Sequence, residues 1–404
     1  MPAASGLRQG GGNVQAPIAT LPRAGFKSIL RNLVARGLYA TRLLQLMQKA
    51  SKNYELQAVP GTALPRLRRG RHPKFAILCY HRVGTEGVPL FSKLSPRVFE
   101  NQMRFLRKNY RIVSFDQLFL ELQHPKSAEP AVAITFDDGY ADLFSQAFPI
   151  LQKYQIPAMI FLVVASIETG EVPWYDRIFL GLETFPGNTL NLVWDRPRRL
   201  PTKTARLEAA WEIICYLRTL PDPQRKELCA ALEKQIVPPA DRTRRVLNWN
   251  QVRAMHRQGI DFGSHTMTHP IVSRLKPAEL EWELAESRRV LEDRLDCPVH
   301  DFAYPFGKIE DCGPATPKLL ATCGYRSAVT TVPGINTPGT DPFELRRMQV
   351  VEDPSLAMFG FELGRLFFNP QPAADSDSGS ARAGTALSHP GEPARAAHSG
   401  ADDA

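Results

Sequence analysis

The chain has 404 residues, 43% hydrophobic and 23% charged, with 34 prolines. This is a globular composition rich in turns, long enough for one large domain or two ordinary ones. The richest apolar run, IPAMIFLVVA at 156–165, falls well short of a membrane-spanning helix and carries Pro157. The first 26 residues lack a continuous apolar core with a cleavage site, which argues against a cleavable secretory signal. Net charge is +9 but unevenly placed: residues 1–74 hold thirteen Lys and Arg against the single Glu55, so basicity belongs to an arm rather than to the body. The six cysteines at 79, 215, 229, 297, 312 and 323 form no C-x-x-C pair. That argues against a cysteine zinc site and fits reduced thiols in a cytoplasmic protein.

In chain order, residues 1–26 are rich in Gly, Ala, Ser and Pro, and are expected to be disordered, as is the tail 369–404. Within the arm 1–74, the segment 27–50 places Ile29, Leu30, Leu33, Val34, Leu43, Leu44 and Met47 at helical spacing among Lys27, Arg31, Arg36, Arg42 and Lys49. Such a basic amphipathic helix either lies on an anionic membrane surface, peripheral to the inner membrane, or packs on the domain with its basic face in water. Nucleic acid is set aside, because no recognition motif or aromatic interleaving accompanies the charge.

The body, 75–368, opens with a short buried strand, KFAILCYH at 74–81. A helix follows at 95–109, with Ser95 as cap and Val98, Met103, Phe105 and Leu106 on its apolar side. YRIVSF, a short helix and the strand AVAITF lead to Asp137; ADLFSQAFPILQKYQ reads as a helix and AMIFLVVA as a strand. The segment 171–246, rich in Pro, Arg and Leu, interrupts this rhythm and reads as an insertion near an active-site mouth, either a lid or substrate platform or structural padding. Beyond it, helix and strand alternate three more times, ending in IDFGSH, HDFAYPFG and YRSAVTT. Short buried strands alternating with helices imply a parallel α/β sheet, open or closed into a barrel, with its chemistry at the C-terminal strand ends.

Three of those ends are polar. Asp137 and Asp138 stand side by side after AVAITF, and two buried like charges cost stability unless a metal ion or a basic side chain lies beside them. In GSHTMTHP, a tight turn through Thr266 and Thr268 lets His265 and His269 aim at one point. With one carboxylate they make a facial set that leaves coordination positions open, the arrangement of a catalytic metal. The third end is FAYPFG, 302–307. There is no G-x-S-x-G elbow and no glycine-rich phosphate loop, so serine-hydrolase and nucleotide chemistry lack their parts.

With T-F-D-D-G intact at 135–139 and H-[ST]-x-x-H intact at 265–269, the chain over roughly 75–350, outside the insertion, resembles the polysaccharide deacetylases of carbohydrate esterase family four, the NodB-homology domain. The resemblance implies a distorted TIM-like (β/α)7 barrel carrying the helical insertion, a divalent metal, usually zinc, and removal of N-acetyl groups from N-acetylhexosamine units of a polysaccharide or glycan. By position it makes Asp137 the general base toward the metal-activated water, and Asp138, His265 and His269 the metal ligands. The backbone N–H of Phe306 becomes the oxyanion donor, and Tyr140, Tyr304 and Pro305 are the expected substrate contacts. Two motifs depart from the pattern. Ala303 stands where many members have an Arg that orients the base, and Arg347 in FELRRMQV is expected to replace it, with Arg346 facing away. The late leucine-x-histidine motif is missing, since His389 and His398 fall in the tail; His81 of LCYHRV, as in a branch that shares the Y-H start, is the expected general acid. His72, His124, His256 and His300 read as surface or core residues. The altered motifs keep two other readings open: an inactive carbohydrate-binding relative, or a membrane-surface adaptor in exopolysaccharide assembly.

Overall fold

Three strands rich in small and β-branched residues, FAILCY, AVAITF and AMIFL, are buried at every position. Burial on both faces is the mark of parallel strands roofed by helices. The computed structural model describes residues 54–57, 66–69, 73–84, 93–125, 129–236, 245–350 and 355–368. The basic helix expected at 27–50, the tail beyond 369 and His72 lie outside them. The main sheet comprises β1 (Phe75–Tyr80), β2 (Arg111–Ile112), β3 (Ala131–Phe136), β4 (Ala158–Leu162), β5 (Ile260–Ser264), β6 (Asp301–Ala303), β7 (Ser327–Val329) and β8 (Met348–Gln349). The order is β7-β6-β5-β4-β3-β1-β8, with β2 also on β3, and every pairing is parallel.

One extended segment joins the two ends of this order. The Leu345 N–H donates to Ala328 O and the Thr330 N–H to Leu345 O, while β8 pairs with β1 and the Val350 N–H donates to Cys79 O. The sheet therefore curls into a distorted α/β barrel of the kind expected. Crossover helices cover it: α1 (Pro96–Asn109), α2 (Phe115–Gln123), α3 (Phe148–Tyr154) and α4 (Val164–Thr169). In the interrupted stretch lie α5 (Trp174–Glu183), α6 (Lys203–Leu217) and α7 (Asp222–Glu233). α8 (Trp249–His256), α9 (Pro277–Leu295), α10 (Ile309–Cys312), α11 (Thr316–Thr322) and α12 (Leu356–Phe368) complete the set. The Ser95 hydroxyl accepts from the Val98 N–H to start α1, and Asn248 with Gln251 forms a reciprocal capping box on α8. Among the described residues no helix is long and apolar enough to cross a membrane, and all six cysteines are free.

The pleat sorts side chains into two columns. Ala76, Leu78 and Tyr80 of β1 and Val132, Ile134 and Phe136 of β3 join the larger core under the helices, with Phe99 and Met103 of α1. The alternate residues, Phe75, Ile77, Ala131, Ala133, Met159, Phe161, Ala303, Val329 and Leu345, fill the barrel. Continuing the inward column two residues at a time leads to Cys79 and His81 from β1, to Thr135 and Asp137 from β3, and from Leu345 to Arg347. On β5 the same step runs from Gly263 to His265. The column is tight there: a Cβ on Gly263 would lie 2.6 Å from the Phe161 ring and 2.8 Å from Asp301 O. Gly263→Ala is therefore expected to destabilise the fold by ~2 kcal/mol through overpacking, read from urea unfolding midpoints.

Candidate metal centre and active site

Asp138 leaves β3 with φ 72°, a left-handed turn that swings its carboxylate away from the inward column and toward the loop after β5. Gly139 follows at φ 72°, where a Cβ would lie 2.5 Å from Leu162, so the reversal needs glycine. Thr266, His269 and Phe306 also have positive φ, at 68°, 57° and 59°. Non-glycine residues rarely hold this conformation, and its concentration on three loops around one point is characteristic of a functional site.

Those loops bring Asp138, His265 and His269 together. The Nε2 atoms of His265 and His269 stand 3.6 and 3.5 Å from Asp138 Oδ1, and one donor atom from each of the three residues lies within 4.8 Å of the others. The first two separations are long for hydrogen bonds but near the roughly 3.4 Å expected between donors ~2.1 Å from a shared tetrahedral ion. His265 Nδ1–H donates to Ala303 O at 2.7 Å, which leaves its Nε2 lone pair facing Asp138. Glu283 of α9 holds the connecting loop, accepting from the N–H groups of Met267 and Thr268 and from the Thr268 hydroxyl. Trp174 of α5 donates to His269 O at 3.0 Å, and the Tyr175 ring packs 4.8 Å from the His269 ring.

The electrostatics suit a cation. Asp138 is 1% exposed, and among the described residues neither of its oxygens has a hydrogen bond of acceptable geometry, although the Tyr175 and Tyr140 hydroxyls stand close enough to favour its charged form. Burial, then the negative charge of Asp137, push its pKa well above the ordinary carboxylate value. Burial also lowers both imidazole pKa values, keeping them neutral as metal ligands must be. Two neutral imidazoles and a buried carboxylate lacking formed hydrogen bonds thus fit a divalent ion by donor type, spacing and charge.

Asp137 has a different environment. Arg347 Nη1 and Nη2 donate to its Oδ1 and Oδ2 at 2.8 and 2.7 Å in a bidentate fork, and both side chains are almost completely buried. Arg347 Nε donates to Thr330 O at 2.8 Å and Nη1 to the Thr135 hydroxyl at 3.2 Å, so the guanidinium is itself held on two sides. Burial would raise the Asp137 pKa, but the Arg347 charge opposes it and prevails, holding the carboxyl below its ordinary range. The Cys79 thiol also donates to Oδ2, at 3.5 Å. Period-two counting back from His81 would have found this thiol, which cysteine spacing alone passes over.

A cavity of about 330 Å³ opens over this point, with His81, Asp137, Asp138, His265, His269 and Phe306 on its wall. Burial, ahead of the charges around it, depresses the His81 imidazole to about 4. Among the described residues no acceptor takes the Phe306 N–H, while its carbonyl accepts from the Thr331 hydroxyl at 2.7 Å. The three expected substrate contacts are not on the cavity wall. Tyr304 is buried in a side cluster with Phe302 and Tyr325 and donates to Phe343 O. Pro305 is buried, and Tyr140 is buried with its hydroxyl donating to Asp176. Each sits close to a site residue in sequence but is buried off the cavity wall; the direction of Tyr140 is set by the left-handed turn through Asp138 and Gly139 that precedes it.

Two measurements follow from this charge arrangement. Arg347→Met leaves Asp137 buried and uncompensated, so stability should fall by ~3 kcal/mol in denaturant unfolding, and adding Asp137→Asn should restore part of the loss. Asp138→Asn removes a buried charge, so without metal it should melt above the parent, while added divalent metal should raise the Tm of the parent alone. Equal metal-induced shifts in both proteins would remove Asp138 from the ligand set.

Comparison with known proteins agrees with this geometry. The family model described as polysaccharide deacetylase matches residues 124–328, a span that contains the Asp137–Asp138 and His265–His269 motifs but neither His81 nor Arg347. A Bacillus subtilis (strain 168) protein, YxkH, named as a polysaccharide deacetylase, is 25% identical over 289 residues, 71% of this chain and 75% of that protein. The poly-beta-1,6-N-acetyl-D-glucosamine N-deacetylase of Escherichia coli (strain K12) is 34% identical over 101 residues, which span 24% of this chain and 15% of that protein. Among solved structures, the Streptococcus pyogenes deacetylase PplD in complex with acetate shares the fold at a TM-score of 0.50 and 19% identity, covering 72% of this chain and 98% of that one. The protein is an enzyme of the polysaccharide deacetylase family.

Proposed function

We propose that this chain hydrolyses N-acetyl groups on N-acetylhexosamine units of a polysaccharide or glycan intermediate. The observation that carries the reading is the pairing of two adjacent aspartates with opposite environments on one cavity: Asp138 against two imidazoles, Asp137 in the fork of Arg347. Asp138, His265 and His269 would hold a divalent ion, and zinc suits a set of two imidazoles and one carboxylate. When bound, such an ion acidifies water and polarises a carbonyl oxygen.

The side chains divide the remaining work. Arg347 takes one lone pair on each Asp137 oxygen and the Cys79 thiol takes a second on Oδ2, which among the described residues leaves an open lone pair on Oδ1. Asp137 Oδ1 is then the atom that accepts the proton as water adds to the acetyl carbon. The Phe306 N–H is available to the carbonyl oxygen as it gains charge. The C–N bond breaks as the amine nitrogen takes a proton, leaving acetate and a free amino sugar. His81 is the donor in this scheme. Its depressed pKa means that it starts neutral, so the proton it delivers is the one Asp137 received, across a group in which Cys79, His81 and Asp137 donor atoms lie within 4.8 Å.

The Escherichia coli relative acts on poly-beta-1,6-N-acetyl-D-glucosamine, which makes β-1,6-linked N-acetylglucosamine oligomers the first substrates to test, beside β-1,4-linked ones. Metal-replete protein should release acetate from at least one series. Asp137→Asn should lower kcat by ~10²- to 10⁴-fold while still binding metal, and His81→Ala should lower kcat more than it raises KM. No acetate from any glycan, or equal release by Asp137→Asn, would overturn the reading.

A further inference from the structure

We propose that α6 supplies the wall that binds a second sugar of the polymer, with Trp211 as the stacking platform. This rests on the reading of the cavity as a glycan deacetylation site. Trp211, Ile214 and Arg218, at i, i+3 and i+7, form one stripe of the helix and its C-terminal cap, and all three line the cavity. The neighbouring stripe of Ala210, Ile213 and Leu217 is buried. Ile214 is buried as well, so α6 packs through Ile213, Ile214 and Leu217 and leaves Trp211 standing out at the cavity edge.

Trp211 is 52% exposed although it stands at the edge of a cavity lined by the metal and base residues. A large aromatic left half in water at such a place is out of keeping with packing as its role. Its position relative to the reacting groups is fixed by two contacts about two turns further along. The Arg218 guanidinium lies 4.1 Å over the Phe306 ring, and its Nη2 donates to Asp311 Oδ2 of α10 at 2.7 Å. The insertion is thereby clamped to the loop that carries the Phe306 N–H. An occupant must be continuous with the catalytic cavity, present a flat apolar face to an indole, and keep polar edges in water. A pyranose ring has both, with axial C–H groups on its face and hydroxyls around its rim. The ring over Trp211 is a neighbour of the one that loses its acetyl group, so α6 reads chain length.

The test uses full-length, metal-replete protein, N-acetylglucosamine and its β-1,6- and β-1,4-linked oligomers, and three variants: Trp211→Ala, Trp211→Phe and, as control, Trp282→Ala. Trp282 of α9 is exposed to the same 52% but does not line the cavity. KM for oligomers should rise ~10-fold in Trp211→Ala, with kcat changing far less, and the effect should shrink on the monosaccharide. Trp211→Phe should recover part of the loss, and Trp282→Ala should match the parent. Oligomer-induced changes in tryptophan fluorescence, followed in parallel, should disappear in Trp211→Phe. The fluorescence arm tests Trp211 even if no glycan yields acetate, so a failed deacetylase reading stays distinguishable from a failed stacking reading. Oligomer KM unaffected by Trp211→Ala, a fluorescence response that survives Trp211→Phe, or a change in oligomeric state in place of KM would overturn the proposal.

Discussion

The fork between Arg347 and Asp137 joins parts of the chain 210 residues apart at the place where the barrel closes. Asp137 ends a central strand, whereas Arg347 lies in the extended segment that pairs with both ends of the sheet. Two buried charges would each cost several kcal/mol if left alone. The bidentate geometry, with Thr330 O and the Thr135 hydroxyl taking two further guanidinium donors, offsets that cost and makes correct closure a condition of charge balance. The same contact fixes the orientation of the carboxylate that faces the cavity. Closure of the sheet and preparation of the site are therefore one event.

The second aspartate is balanced differently. Asp138 has the same burial as its neighbour but no guanidinium, and its backbone is turned into the left-handed region, as are Thr266, His269 and Phe306. Left-handed non-glycine residues cost of order 1 kcal/mol each, so a site that uses four of them needs support from around it. Glu283, Trp174 and the Ala303 carbonyl provide it by holding the histidine loop from outside. Peptide-level strain and side-chain convergence thus have one cause, three loops forced to point at a single position.

The barrel and the interrupting segment play separate parts. The inward columns of the strands carry His81, Asp137 and His265 to the cavity, and α6 lines it with Trp211, Ile214 and Arg218. The contact of Arg218 with Phe306 and Asp311 ties this added wall to the loop after β6. Sheet and insertion are thereby in register, and the insertion also supports the histidine loop, since Trp174 of α5 donates to His269 O.

The strand and helix rhythm was legible in the chain because each buried parallel strand is a short apolar run and the helices between them carry apolar residues at helical spacing, the first of them started by a recognisable cap at Ser95. The paired motifs at 135–139 and 265–269 were legible for a similar reason: their residues are close in sequence, so spacing alone brings them to one loop. Glu283 carried no local signal, since its role comes from partners 15 and 16 positions away, whereas Cys79 was legible only through the period-two alternation that places it two residues before His81. Tyr304, Pro305 and Tyr140 looked like substrate contacts because they adjoin the motifs, but the structure buries all three off the cavity wall. By itself the sequence determined which groups stand at the strand ends, through short-range pattern and chemistry. Only the tertiary structure decided which of them meet, since Arg347 reaches Asp137, and α6 reaches the cavity, only when a parallel sheet curls far enough for distant segments to share one interior.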